Sequence, residues 1–244
     1  MKKILIILIL PLISLSALQA QITQEAADKI VKEYLGDATI DCMLYAKENF
    51  QTDGMTIITF AGEIVEFEYP CWVYYAACSA NMNNKYILVN ASNGNVLNMN
   101  LKGDEMPDDV AQWRILAIDI PFELYSLEGS SCTWSNNITH NDELTIINSS
   151  EELELYIDCI ENNYNYSEID FSKYTLLLAR GETGGIWDMK INFSRNNENE
   201  YILNVVIYLD DSAIWAPWHV SILVRKIDDE ATVTLEVQEI DEYE

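Results

Sequence analysis

The sequence predicts an α+β protein of two small domains, each one amphipathic helix packed on a mainly antiparallel sheet. Three observations carry this. Apolar residues recur at helical spacing in only two places, residues 26–35 and 153–160. Much of the remaining chain alternates apolar and polar residues with period two, the mark of half-buried strands. Between these patterns, Leu101 to Asp109 holds Lys, Gly, Pro and four acidic residues with few apolar ones, which marks a linker. The expected layout is a leader over 1–20, a first domain over 21–100, the linker over 101–109 and a second domain over 110–244.

The leader has a basic start, Lys2 and Lys3, then an apolar run from Ile4 to Leu15 broken only by Pro11 and Ser14. Small and polar residues follow to Ala20. This is the pattern of a secretory signal peptide, and the run is too short for an ordinary membrane span. The expectation is an exported protein, periplasmic or secreted, with no transmembrane segment after the leader.

In the first domain Thr23 caps a helix. Ala26, Ala27, Ile30, Val31, Tyr34 and Leu35 form its apolar face, and Gly36 ends it. Strands follow: Ile40 to Ala46, Thr56 to Phe60 and Ile64 to Tyr69, with Asp53-Gly54 as a hairpin turn and Pro70 as a break. Trp72 to Ala77 continues the sheet. Tyr86 to Asn90 pairs across Asn93-Gly94 with Val96 to Met99.

In the second domain Ile118, Ile120, Phe122 and Leu124 alternate, and Pro121 makes this an edge strand. Ser126 to Asp142 is a polar loop, and Leu144 to Ile147 a short strand. Ser149-x-x-Glu152 is a capping box for a helix whose apolar face is Leu153, Tyr156, Ile157 and Ile160. The centre of the half is a strand-turn-strand. The apolar run Leu176 to Ala179 leads through Gly181, Gly184 and Gly185 to a strand with Trp187, Met189, Ile191 and Phe193 on one face. Tyr201 to Leu209, Val220 to Ile227 and Val233 to Ile240 add three strands.

Five cysteines in an exported chain point to disulfides. Cys132 and Cys159 are paired, tying the polar loop to the second helix. On one unbroken strand Cys71 and Cys78 would face opposite ways, so Cys42 pairs with one of them. The choice between the two stays open.

The chain has 14 Lys and Arg against 40 Asp and Glu, a net charge of −26. Such a charge repels nucleic acid and anionic membranes. No calcium-loop pattern is present, and no cysteine spacing fits a zinc module. The only histidines, His140 and His219, sit in a loop and at a strand end, and no serine lies in a nucleophile elbow. The sequence therefore names no catalytic set, no metal site and no cofactor. Trp215 and Trp218 flank a proline and suit an interaction surface, since Trp is frequent among interface anchors. Arg180 and Glu182 are expected to rim it.

Two resemblances follow from quoted motifs. The first helix, the strand opened by Trp72 and Val73, and Tyr86, Leu88, Val89, Ala91, Gly94, Val96 and Leu97 resemble a PepSY domain over residues 21–100. Asp170 to Thr175, Gly181, Thr183-Gly184-Gly185 and Ala216 to Val220 resemble the C-terminal domain of PrcB-type proteins of secreted protease complexes. The chain departs from that family at Ile186, where an aromatic residue is usual. Together they imply a non-catalytic exported protein that binds a protein partner and regulates or accompanies a secreted peptidase. The alternative is an envelope protein binding a small ligand or a surface, unrelated to proteolysis.

Overall fold

Strands, not helices, dominate the chain. The computed structural model describes residues 21–49, 56–58, 64–66, 69–78, 83–100, 106, 109–135, 142–160, 165–210 and 215–241. The leader, the Asp53-Gly54 turn, most of the linker and His140 lie outside these residues.

Helix α1 (Gln24–Leu35) starts where the Thr23 hydroxyl accepts from the Ala26 N–H at 3.2 Å. It buries Ala27, Val31 and Leu35. Gly36 stops it with φ +54°, a conformation costly for any residue with a Cβ. A 3₁₀ turn, Gly36–Asp41, leads into β1 (Cys42–Ala46). β2 (Thr56–Ile58) and β3 (Ile64–Glu66) form an antiparallel pair of their own rather than continuing the main sheet as expected. β4 (Cys71–Cys78), β5 (Lys85–Asn90) and β6 (Val96–Asn100) follow. After a 3₁₀ turn at Val110–Gln112 comes β7 (Arg114–Ile115), and the first sheet has the order β6-β5-β4-β1-β7.

The chain then runs through β8 (Ile118–Asp119), β9 (Glu123–Leu124), β10 (Cys132–Trp134) and β11 (Glu143–Ile147). Helix α2 (Ser150–Glu154) precedes β12 (Ile157–Cys159). Five long strands complete the fold: β13 (Tyr174–Thr183), β14 (Ile186–Asn197), β15 (Glu200–Leu209), β16 (Ala216–Arg225) and β17 (Thr232–Asp241). They build a sandwich of two four-stranded sheets. The back sheet is β11-β13-β16-β9 and the front sheet is β17-β15-β14-β8. All pairings are antiparallel except β15 with β17.

The α+β expectation is therefore corrected to mainly β with minor α. The second helix is the reason. Ser149 caps it, accepting from the Glu152 N–H at 3.1 Å, but the helix ends after five residues. Residues 157–159 form a strand instead, because β10 lies beside them and pairs Cys132 with Cys159. Ile160, expected on the helix face, is exposed. The expected edge strand 118–124 is also divided. Ile118 and Asp119 join β14, whereas Glu123 and Leu124 join β16 in the other sheet.

One hydrophobic cluster joins both halves. It contains Val31, Leu44 and Ile87 from the first sheet and its helix, and Leu177, Phe193, Val205 and Ile222 from the sandwich. Direct bonds add to it. Arg195 Nη2 donates to the Cys42 carbonyl at 2.8 Å, and the Leu116 N–H donates to the Leu44 carbonyl at 2.8 Å. The back sheet is covered on its other face by a second cluster of Tyr125, Ile147, Leu153, Ile157, Leu176 and Leu178.

Both disulfides sit at directly opposed positions, Cys42–Cys78 across β1 and β4, and Cys132–Cys159 across β10 and β12. The first settles the open pairing in favour of Cys78. Two disulfides are consistent with an exported protein. No helix among the described residues is long and apolar enough to cross a membrane.

Two predictions follow from the packing. Cys71 is fully buried, and burial pushes its thiol pKa up to about 11, so thiolate is scarce and inaccessible. Ellman's reagent at pH 8 will consume no thiol in the native protein and one equivalent in guanidinium chloride. Phe193 is 1% exposed and stacks on Tyr201 at 5.4 Å between centroids. Phe193→Ala will cost about 3–5 kcal/mol in denaturant unfolding.

Candidate functional site

The site grows out of the step between β13 and β14. These consecutive strands do not pair with each other. β13 lies in the back sheet and β14 in the front sheet, so Gly184-Gly185 carries the chain from one layer to the other. The backbone comes closest to a neighbouring side chain at Gly181. It faces Trp218 across the ladder, and a Cβ there would meet the Trp218 ring at 2.9 Å and the Asp142 carboxylate. A glycine under an aromatic ring lets the sheet carry the large side chain without splaying.

β14 contains a bulge. The register with β15 shifts between Ile186 and Asp188, so Trp187 leaves the inward face predicted for it. Ile186, Met189 and Ile191 pack on the core, while Trp187 is 52% exposed and meets the Tyr208 ring at 5.7 Å. Lys190 lies over the same ring and bonds its hydroxyl at 3.0 Å.

Beside this segment the sandwich is open. A cleft of about 450 Å³ lies between β14 and β16, lined by Ile186, Met189, Ile191, Val220 and Leu124, with Asp188 and His219 as polar groups. Leu124 stands 69% exposed at its rim. A second cleft of about 380 Å³ adjoins it and is lined by Tyr125, Leu127, Cys132, Trp134 and His219. Tyr125 lines both. Its hydroxyl donates to the Ser167 carbonyl at 2.8 Å, and burial pushes its pKa up to about 12. The surrounding protein lowers the pKa of His219, although its side chain stays exposed, and its ring lies 6.2 Å from that of Trp134.

The four residues expected to form one surface are divided by the structure. Trp218 is 3% exposed and points into the core over Gly181. Arg180 is 6% exposed. It pairs with Glu143, donates from Nη1 to the Ser135 carbonyl at 3.3 Å and lies over the Tyr156 ring at 5.3 Å. Neither residue can rim an exposed face. The cause is strand parity: Arg180 and Trp218 point to opposite faces of the back sheet, and both faces are covered. Glu182 is half-buried on the same strand, and Trp215 is 74% exposed. Trp215 precedes Ala216, which pairs with Thr183, so it stands at the end of the sandwich from which β14 begins.

Sequence reasoning missed Trp187, Leu124 and Asp188. Trp187 fits a clean inward alternation, and nothing local signals the bulge. For Leu124 the signal was Pro121, whose break in the strand leaves Leu124 at a sheet edge.

Among the described residues no group of three or more His, Cys, Asp or Glu is gathered to hold a metal ion. Asp142 and Glu239 face one another near Gly181, and burial together with the Glu239 charge raises the Asp142 pKa. No family model matches the chain, and no curated protein or solved structure matches it either. The likenesses to PepSY and PrcB-type domains rest on their quoted motifs.

Arg180→Ala will cost about 1–3 kcal/mol in urea unfolding, because it removes a nearly buried guanidinium that pairs with Glu143, bonds the Ser135 carbonyl and packs on the Tyr156 ring. Gly181→Ala will cost about 1–3 kcal/mol through its clash with Trp218.

Proposed function

We propose that this is an exported, non-catalytic binding protein that engages another protein at the open side of its sandwich, around Trp187, Leu124 and Trp215. One observation carries the reading. A monomeric surface seldom leaves large apolar side chains beside an apolar cleft without use, and here Leu124 and Trp187 rim such a cleft while Trp215 stands at the same end. Exposed Trp is a frequent interface anchor. A peptidase as the partner, and a regulating or accompanying role, rest on the family resemblances alone. Export to the periplasm or beyond is supported by the leader pattern and the two disulfides.

A second reading has its own observation. The cleft between Tyr125, Trp134 and His219 is flanked by these three rings and has the size of a small-ligand pocket. It favours an envelope protein that binds a small ligand.

Affinity capture from the native cell envelope, with the chain from Gln21 as bait, separates these readings. The expected result is a recovered peptidase, lost with Trp187→Ala plus Trp215→Ala and kept with Trp134→Ala. Recovery that ignores the Trp187 and Trp215 changes would remove the proposed surface. No recovered protein would favour the small-ligand reading.

A further inference from the structure

We propose that the open edge of β14, residues 187–192, accepts an extended segment of the partner as an added strand, and that this segment alternates apolar residues with Lys or Arg. The inference rests on the protein-binding function above and specifies how the partner is held.

β14 is twelve residues long, but its outer edge is covered at one end only. β8 pairs with Ser194 and Arg195, and the Ile120 N–H reaches the Phe193 carbonyl at 2.8 Å. Pro121 follows, and the chain departs for the back sheet. Beyond that point no described strand pairs with the outer edge of β14.

The Ile120–Phe193 bond fixes which residues face outward. Backbone groups alternate sides along a strand, so Ile191 and Met189 point their N–H and C=O groups to the same edge as Phe193. They offer two acceptors and one open donor, the Ile191 N–H; the Met189 N–H joins them only by leaving its own partner. The Met189 N–H donates to the Asp188 carboxylate at 2.9 Å, where a partner strand would place its own acceptor. The facing edge of β16 is a poorer template. The Ser221 carbonyl there already accepts from the Tyr125 N–H at 2.9 Å, and Pro217 has no N–H.

Side-chain chemistry defines the occupant. In strand addition main-chain bonds supply affinity and alternate side chains enter pockets. Here the alternate side chains would enter the cleft over Met189, Ile191 and Val220. Those pointing away meet Asp188 at one end of the open stretch and Asp119 at the other, while Lys190 between them turns from the open edge to the Tyr208 ring on β15, in a chain of net charge −26. Asp119 accepts from Asn192 Nδ2 at 3.2 Å, so it is held at the edge. Basic residues complement this rim.

A bulge and a carboxylate on an edge also guard strands against aggregation. Simple guarding does not account for the rim. It gains nothing from leaving Leu124 69% and Trp187 52% exposed beside the edge.

The test begins with a phage library displaying random dodecapeptides, selected on the chain from Gln21. Enriched peptides should alternate apolar residues and carry Lys or Arg. Binding them should slow hydrogen exchange at the Met189 and Ile191 amides. N-methylating alternate peptide amides should abolish binding without touching the protein, and Asp188→Asn should weaken it a few-fold. No enrichment, or enriched peptides that bind equally well when N-methylated or leave both amides unprotected, overturns the added strand. Self-association in sedimentation that protects the same two amides without peptide also overturns it, by assigning the edge to a second copy. In each case, envelope capture that still depends on Trp187 and Trp215 would leave the binding function standing and only its mode refuted.

Discussion

The fold depends on the twelve residues from Arg114 to Tyr125. They supply an edge to three sheets in turn: β7 to the first sheet, β8 to the front sheet and β9 to the back sheet. Backbone bonds to Leu44, Phe193 and Ser221 fix each visit. Leu116, Ile118 and Ile120 meanwhile bury their side chains in the cluster shared by both halves. A segment that satisfies its polar backbone in three places while filling one core sets the positions of all three sheets. It also creates the opening of the sandwich. Because this segment must serve both layers, it can cover only a few residues of each edge. Pro121 stands at the crossing, where a missing N–H removes nothing from either ladder.

Local features of the fold were legible in the sequence wherever a local rule was sufficient. The β5–β6 hairpin follows from alternation and Asn93-Gly94, and Gly94 takes the positive φ that such a turn requires. The first helix follows from Thr23, the apolar face and Gly36. The Cys132–Cys159 pair was also readable, although the elements holding it were not. Long-range pairing is what local patterns could not show. The spacing of Leu153, Tyr156, Ile157 and Ile160 fits a helix, yet a neighbouring strand and a covalent bond hold 157–159 extended. Gly184-Gly185 resembles a hairpin turn, yet it links different layers, because the partners of β13 and β14 lie elsewhere in the chain.

The candidate site was less legible for the same reason. Of Arg180, Glu182, Trp215 and Trp218, composition alone could not say which would face solvent. That depended on both faces of the back sheet being covered, one by the front sheet and one by the segment holding Tyr125 and Leu153. Trp187 was assigned inward by a correct alternation that a one-residue bulge cancels. A site formed where pairing stops leaves its mark in the absence of a neighbour, which no run of residues encodes directly.

The parallel pairing of β15 with β17 has a consequence for how the chain assembles. Between them β16 must cross to the back sheet and the chain must return, so no hairpin can bring the two together. β17 leaves the ribosome or a translocation channel after both β15 and β16. Until it docks, β15 keeps an unpaired edge along its whole length. Non-local pairing of this kind makes folding slow and leaves sticky edges exposed meanwhile. The chain is thus most in need of protection during the interval between the arrival of β16 and the docking of β17.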